Sequence, residues 1–120
     1  MGKTILVVDD NEMNRKLLRV LLSSRGYTVE EAETGQGGLD LAKSCQPDLI
    51  LLDYRLPDID GLTILQVIKQ DALQLMTCMI TAYANIDTAI AATRQGVDFF
   101  LPKPFTLKQL AAKVKDVLGG

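Results

Sequence analysis

The chain has 120 residues, 48% hydrophobic and 23% charged, which is enough to bury one core and too apolar for a disordered segment. A formal net charge of -2 argues against a surface built mainly to grip nucleic acid or an anionic membrane. There is no histidine, and Cys45 and Cys78 share no metal-ligand spacing, so a zinc site is not expected and both thiols suit a reducing cytosol.

Thr4 to Val8 is a compact apolar run that reads as a buried strand. Asn11 is placed to cap a helix in which Met13, Leu17 and Leu21 recur at i, i+4 and i+8, with Leu18 and Leu22 beside them. Arg15, Lys16 and Arg19 fall off that stripe. Gly26 ends the helix, and Tyr27 to Ala32 reads as a second strand whose Glu30 and Glu31 suit a sheet edge.

Gly35 to Ser44 is a shorter, weaker helix, and Pro47 closes the loop after it. Asp48 to Asp53 is the most apolar strand and is expected at the centre, covered on both faces. The turn Leu56-Pro57-Asp58-Ile59-Asp60-Gly61 leads into a helix carrying Ile64, Leu65 and Ile68. Met76 to Thr81 is a fourth strand, followed by a helix on which Ile86, Ala89, Ile90, Thr93 and Val97 keep a helical period. Asp98 to Leu101 is a short fifth strand. Leu107, Leu110, Ala111, Val114 and Leu118 form the apolar stripe of a last helix, with Lys108, Lys113 and Lys115 on its solvated face.

Strands separated by helices cannot form hairpins, so the expected fold is α/β, a parallel sheet with right-handed crossovers and helices on both faces. The apolar runs are too short to span a membrane, no signal peptide is evident, and no linker or internal repeat breaks the chain. One soluble, cytoplasmic domain over residues 1–120, with no output domain in this chain, is the expectation.

Open parallel sheets bind ligands beyond the carboxyl ends of their strands. Strand one there runs into Asp9-Asp10, strand three ends in Asp53, strand four ends in Thr81, and Lys103 follows strand five. Crowded carboxylates need a counter-charge. Mg²⁺ (or Mn²⁺) is a hard cation that takes oxygen ligands and shares phosphate oxygens. A carboxylate can attack phosphorus and form an acyl phosphate, while a metal, an ammonium and a hydroxyl stabilise the phosphoryl oxygens. Taken singly, each residue has a plainer role. Asp10 and Asn11 can cap a helix, Thr81 can be an ordinary strand residue, and Lys103 can be solvated. Asp53, after four apolar residues in a central strand, is awkward without a partner. The joint occurrence at four strand ends favours a phosphoryl-transfer site.

The segments Leu6 to Glu12, Pro47 to Asp53, Leu56 to Gly61, Ile80-Thr81-Ala82 and Phe99 to Phe105, in this order and spacing, resemble the receiver domain of two-component response regulators over essentially the whole chain. The resemblance implies a flavodoxin-like sheet of order 2-1-3-4-5. It implies that Asp53 is the phosphoacceptor, supplied by a histidine kinase or phosphotransfer protein. Asp9, Asp10, Asp53 and the backbone carbonyl of Arg55 would hold the metal. Thr81 and Lys103 would contact the phosphoryl group, Phe100 would turn inward as a switch aromatic, and the Lys103-Pro104 bond would be cis. The output face would comprise the fourth helix, fifth strand and last helix, acting on an output domain or target protein and open to a phosphorylation-dependent dimer. Such a domain is a signalling switch that assists only its own phosphorylation and dephosphorylation, and is not otherwise an enzyme. Arg55 and Tyr83 would border the path of the hydrolytic water; the bulk of Tyr83 either lengthens the phosphorylated lifetime or is inert.

Three rivals remain. A haloacid-dehalogenase-type phosphatase needs Asp-x-Asp where this chain has adjacent Asp9-Asp10. A flavin carrier needs a hydroxyl- and glycine-rich loop after strand one, and Walker A and dinucleotide signatures are absent. A phosphorylation-independent interaction module would be expected to lack Asp53, an acidic-pair residue or Lys103, and this chain has them all.

Overall fold

The computed structural model describes residues 2–81 and 86–119. Strands and helices alternate through the chain: β1 (Thr4–Val8), α1 (Glu12–Ser24), β2 (Thr28–Ala32), α2 (Gly35–Ser44), β3 (Leu49–Asp53), α3 (Gly61–Gln70), β4 (Met76–Thr81), α4 (Ile86–Arg94), β5 (Phe99–Pro102) and α5 (Leu107–Leu118). The sheet is parallel, in the order β2-β1-β3-β4-β5. As its acidic pattern suggests, β2 is an edge strand. Every residue of β3 is buried, as a central strand requires.

Alternation along the strands sorts the core into two layers. Leu6, Val8, Ile50, Leu52 and Met79 face α2, α3 and α4, meeting Leu39, Ile64, Leu65, Ile68 and Ala92. Ile5, Val7, Leu49, Leu51, Cys78 and Ile80 face the other way, against Leu18, Leu22, Leu110 and Val114 of α1 and α5. Each fully buried aliphatic side chain contributes about 1.5–3 kcal/mol, so both faces are needed to hold the sheet. Far from the strand ends that carry the acidic residues, Asp48 accepts from Thr4 N at 2.8 Å and Asp98 accepts from Thr77 N at 2.7 Å, latching neighbouring strands.

Local chemistry sets the boundaries. Asn11 caps α1 by accepting from Asn14 N. At the other end Gly26, at φ 92°, lets Gly26 N donate to Ser23 O and Tyr27 N donate to Leu22 O, a Schellman closure. That closure uses the Tyr27 N–H, so β2 starts at Thr28 rather than at Tyr27. The third strand likewise begins at Leu49, one residue later than expected, because Asp48 is engaged with Thr4. The fifth strand runs Phe99–Pro102, and Pro102 lies opposite Thr81 on the edge of the sheet, where the missing N–H costs nothing. The Lys103-Pro104 peptide bond is cis.

Three apolar stripes differ from the sequence reading. On α1 the inward residues are Leu18 and Leu22; Met13 is 62% exposed and Leu17 46%. On α4 the buried positions are Thr88 and Ala92, while Ile90 is 45% exposed. The reading followed the larger side chains, whereas α4 turns its small residues to the core. On α5, Leu110, Ala111 and Val114 are buried as expected, but Leu107 is exposed at the helix start. Thr106 and Gln109 form a capping box there.

Candidate phosphoryl-transfer site

The site is built by the sheet's carboxyl edge. Asp9 follows the last residue of β1 and is held there by donating its N–H to Ala32 O of β2 at 3.1 Å. Its carboxylate accepts from Asn11 N at 2.9 Å and lies 3.4 Å from Asn14 Nδ2. Asp53 closes β3 and accepts from Arg55 N at 3.2 Å through Oδ1. Both carboxylates are buried, while Asp10 is exposed. One oxygen from each of Asp9, Asp10 and Asp53 can be chosen so that all three lie within 4.8 Å of one another.

Lys103 arrives from the loop after β5. Its Nζ is 3.1 Å from Asp53 Oδ2 and 3.9 Å from Asp9 Oδ2. Its backbone N donates to Thr81 O at 2.8 Å, so the end of β4 also sets where the ammonium stands. Thr81 is fully buried at that end. The four strand ends that sequence spacing singled out therefore converge. Burial pushes the Asp9 carboxyl above its ordinary value of 3.8, and the nearby charge of Asp53 adds to the rise, against the lowering effects of the Asn11 N–H and Lys103.

This donor set suits a hard divalent cation. Two of the three carboxylates are removed from water, all are oxygen donors, and the Lys103 ammonium stands close to the two buried ones. A divalent ion held by these acids would relieve the part of that rise that comes from the Asp53 charge. The exposed Asp10 and the open edge of the sheet leave access for solvent and a phosphate group.

Arg15 was read only as a polar residue off the α1 stripe. Its guanidinium instead folds back to donate to Asp9 O at 2.6 Å, with Glu31 at 3.5 Å and Glu33 at 3.9 Å. It ties the turn that carries the acidic pair to the end of β2. A cation one turn into the helix, with acids at the end of the next strand, was the available signal. Asn14 beside Asp9 was also missed. Arg55 is exposed, Phe100 is half-buried against the α3 side of the sheet, and Tyr83 lies outside the described residues, as does Ala82. A cavity of about 450 Å³ adjoins the cluster, lined by Asp9, Leu17, Leu18, Lys103, Pro104 and Phe105 among others.

Comparison with known proteins agrees with this architecture. A family model described as the response regulator receiver domain matches residues 5–115. The response regulator MprA of Mycolicibacterium vanbaalenii is 39% identical over 118 residues, covering 98% of this chain and 51% of that protein. MprA of Mycobacterium tuberculosis is 37% identical over the same length. The chain thus spans about half the length of these curated relatives. Among solved structures, a response regulator from Chloroflexus aurantiacus superposes with a TM-score of 0.92 at 33% identity, covering 100% of both chains. A CheY-like receiver domain protein from Methanospirillum hungatei gives 0.94 at 29% identity, covering 99% of this chain and 95% of that one.

Proposed function

The chain belongs to the response regulator receiver domain family, and on that premise we propose that residues 1–120 form one receiver domain whose Asp53 is phosphorylated in a two-component relay. The observation that carries this reading is the meeting of Asp9, Asp10 and Asp53 with Lys103 3.1 Å from the Asp53 carboxylate. In the reaction, the oxygen of Asp53 not engaged by Arg55 N attacks phosphorus. The bond between phosphorus and the donor histidine's nitrogen breaks as the acyl phosphate forms, and the nitrogen keeps the electron pair. Lys103 neutralises a phosphoryl oxygen, and the Thr81 hydroxyl donates to another once drawn toward it.

Asp9, Asp10, Asp53 and the Arg55 carbonyl are the groups that would hold Mg²⁺ or Mn²⁺, which when bound supplies positive charge to the phosphoryl oxygens. The movement of Thr81 opens space for Phe100 to turn inward, biasing a two-state equilibrium. The face formed by α4, β5 and α5 then differs between states and is read by an output domain or target protein. A histidine kinase or phosphotransfer protein is the phosphodonor. Among the described residues no helix is long and apolar enough to cross a membrane. We place this reaction in the cytoplasm.

The switch is tested with beryllofluoride, which mimics a phosphoryl group on a carboxylate, added with Mg²⁺ to isotope-labelled protein. The expected result is amide shift changes at Asp53, Thr81, Lys103 and along α4–β5–α5. Changes confined to the metal ligands, or none beyond those caused by Mg²⁺ alone, would overturn it.

A further inference from the structure

The seven residues between β3 and α3 carry Arg55, and their position decides where its carbonyl points. At its base this loop is closed by Gly61 N donating to Tyr54 O at 2.8 Å and Arg55 N donating to Asp53 Oδ1 at 3.2 Å. Its far side is held by a different device. The Asp58 carboxylate accepts from Gly35 N at 2.7 Å through Oδ1 and from Gln36 N at 2.9 Å through Oδ2. These are the first two N–H groups of α2, which have no partner within the helix. Thr34, the helix's own cap, takes only Gly37 N, at 3.0 Å. The helix is therefore capped twice, once from within and once from more than 20 residues away.

The fit is built on both sides. A Cβ on Gly35 would stand 3.1 Å from Asp58 Oδ1, 3.1 Å from Ile59 Cβ and 2.9 Å from Ile64 Cδ1. Glycine at this position lets the loop approach the helix. The negative carboxylate also sits at the positive end of α2. The N–H groups of Gln36 and Gly35 hold the Asp58 carboxyl below its ordinary range, as a pair of bonds to the charged form should.

We propose that Asp58 is a positioning residue for the metal site: by clamping the 54–60 loop onto the first turn of α2, it pre-orders the Arg55 carbonyl before any cation arrives. The inference rests on the reading that this carbonyl and the three carboxylates form that site. Without the clamp the loop keeps the bonds at its base and the packing of Tyr54, Leu56 and Ile59 against the core, but loses its tie to α2; binding must then fix more of the loop, which weakens affinity. Asp58 touches neither phosphate nor metal and acts through the loop.

The test compares the wild type with Asp58→Ala, Asp58→Asn and Asp48→Ala, the last removing a carboxylate–backbone bond at the opposite end of the sheet. Mg²⁺ affinity is measured by calorimetry, and hydrogen exchange of the Gly35 and Gln36 amides is followed in metal-free protein. Asp58→Ala is expected to lose protection at both amides and to bind Mg²⁺ about tenfold more weakly, the low end for a group that orients metal ligands. Asp58→Asn keeps one acceptor oxygen and is expected to fall between, and Asp48→Ala to bind as the wild type does. Equal losses in the two Asp58 variants would mean that only charge matters and would overturn the clamp. So would wild-type affinity in Asp58→Ala after the protection has gone. If the wild type itself takes up no Mg²⁺, the reading of the metal site fails, and this inference with it.

Discussion

The Lys103 ammonium stands 3.1 Å from Asp53 Oδ2, joining residues 50 apart in the chain across the ends of two strands that are not neighbours. The contact offsets part of the cost of burying a carboxylate and competes with any cation for the same oxygens. Lys103→Ala is therefore expected to cost roughly 1–2 kcal/mol in metal-free buffer, discounted for the partial exposure of the lysine. Urea unfolding with and without saturating Mg²⁺ checks this, and the cost should shrink when Mg²⁺ is present.

Asp9 gives a pH dependence of defined sign. Its carboxyl is raised in the folded state, first by burial and then by the Asp53 charge. A raised acid stabilises the fold below its unfolded value, near 3.8, and that contribution is lost as pH rises through the folded value. Relative to the wild type, Asp9→Asn should gain stability as pH rises from the unfolded value near 3.8 through the higher folded one, in metal-free buffer. A stability difference that stays flat over that range would contradict the crowding.

Gly61 opens α3 directly behind the site. A Cβ there would lie 2.9 Å from Asp53 O and 3.0 Å from Tyr54 Cα, both backbone atoms that cannot swing aside. Gly61→Ala should destabilise by roughly 1–3 kcal/mol despite alanine's better helix propensity. Thermal unfolding measures the loss, and amide shifts at Asp53 and Tyr54 should move with it.

Adjacent leucines on α1 separate the buried face from the open one. Leu18 is 5% exposed and Leu17 is 46%. Leu18→Ala should cost about 2–4 kcal/mol and Leu17→Ala under about 1 kcal/mol. Equal costs in chemical denaturation would show that α1 is rotated from the orientation described.

Much of this was legible in the residues. Compact apolar runs, helical periods and glycine or proline breaks defined ten elements, and the four strand ends carrying Asp9, Asp53, Thr81 and Lys103 do meet. The helix faces were less legible. Met13 and Leu17 keep a helical period as well as Leu18 and Leu22 do, and only packing against Ile5, Val7 and Leu51 decides between them. On α4 the sheet takes Ala92, a small residue that hydrophobic periodicity underweights. Arg15 and Asp58 escaped because each acts on backbone atoms supplied by a distant or differently oriented segment. Side-chain type says that a group can donate or accept, but not which backbone amide or carbonyl the fold will bring to it.

Asp53 is expected to accept a phosphoryl group with the help of a divalent cation. The most direct test is intact mass after incubation with acetyl phosphate, with and without Mg²⁺, on the wild type and on Asp53→Asn. The prediction is one added phosphoryl group on the wild type, dependent on Mg²⁺ and absent from the variant. An adduct that persists in Asp53→Asn, or none on the wild type with either acetyl phosphate or a phosphorylated histidine donor, would contradict it.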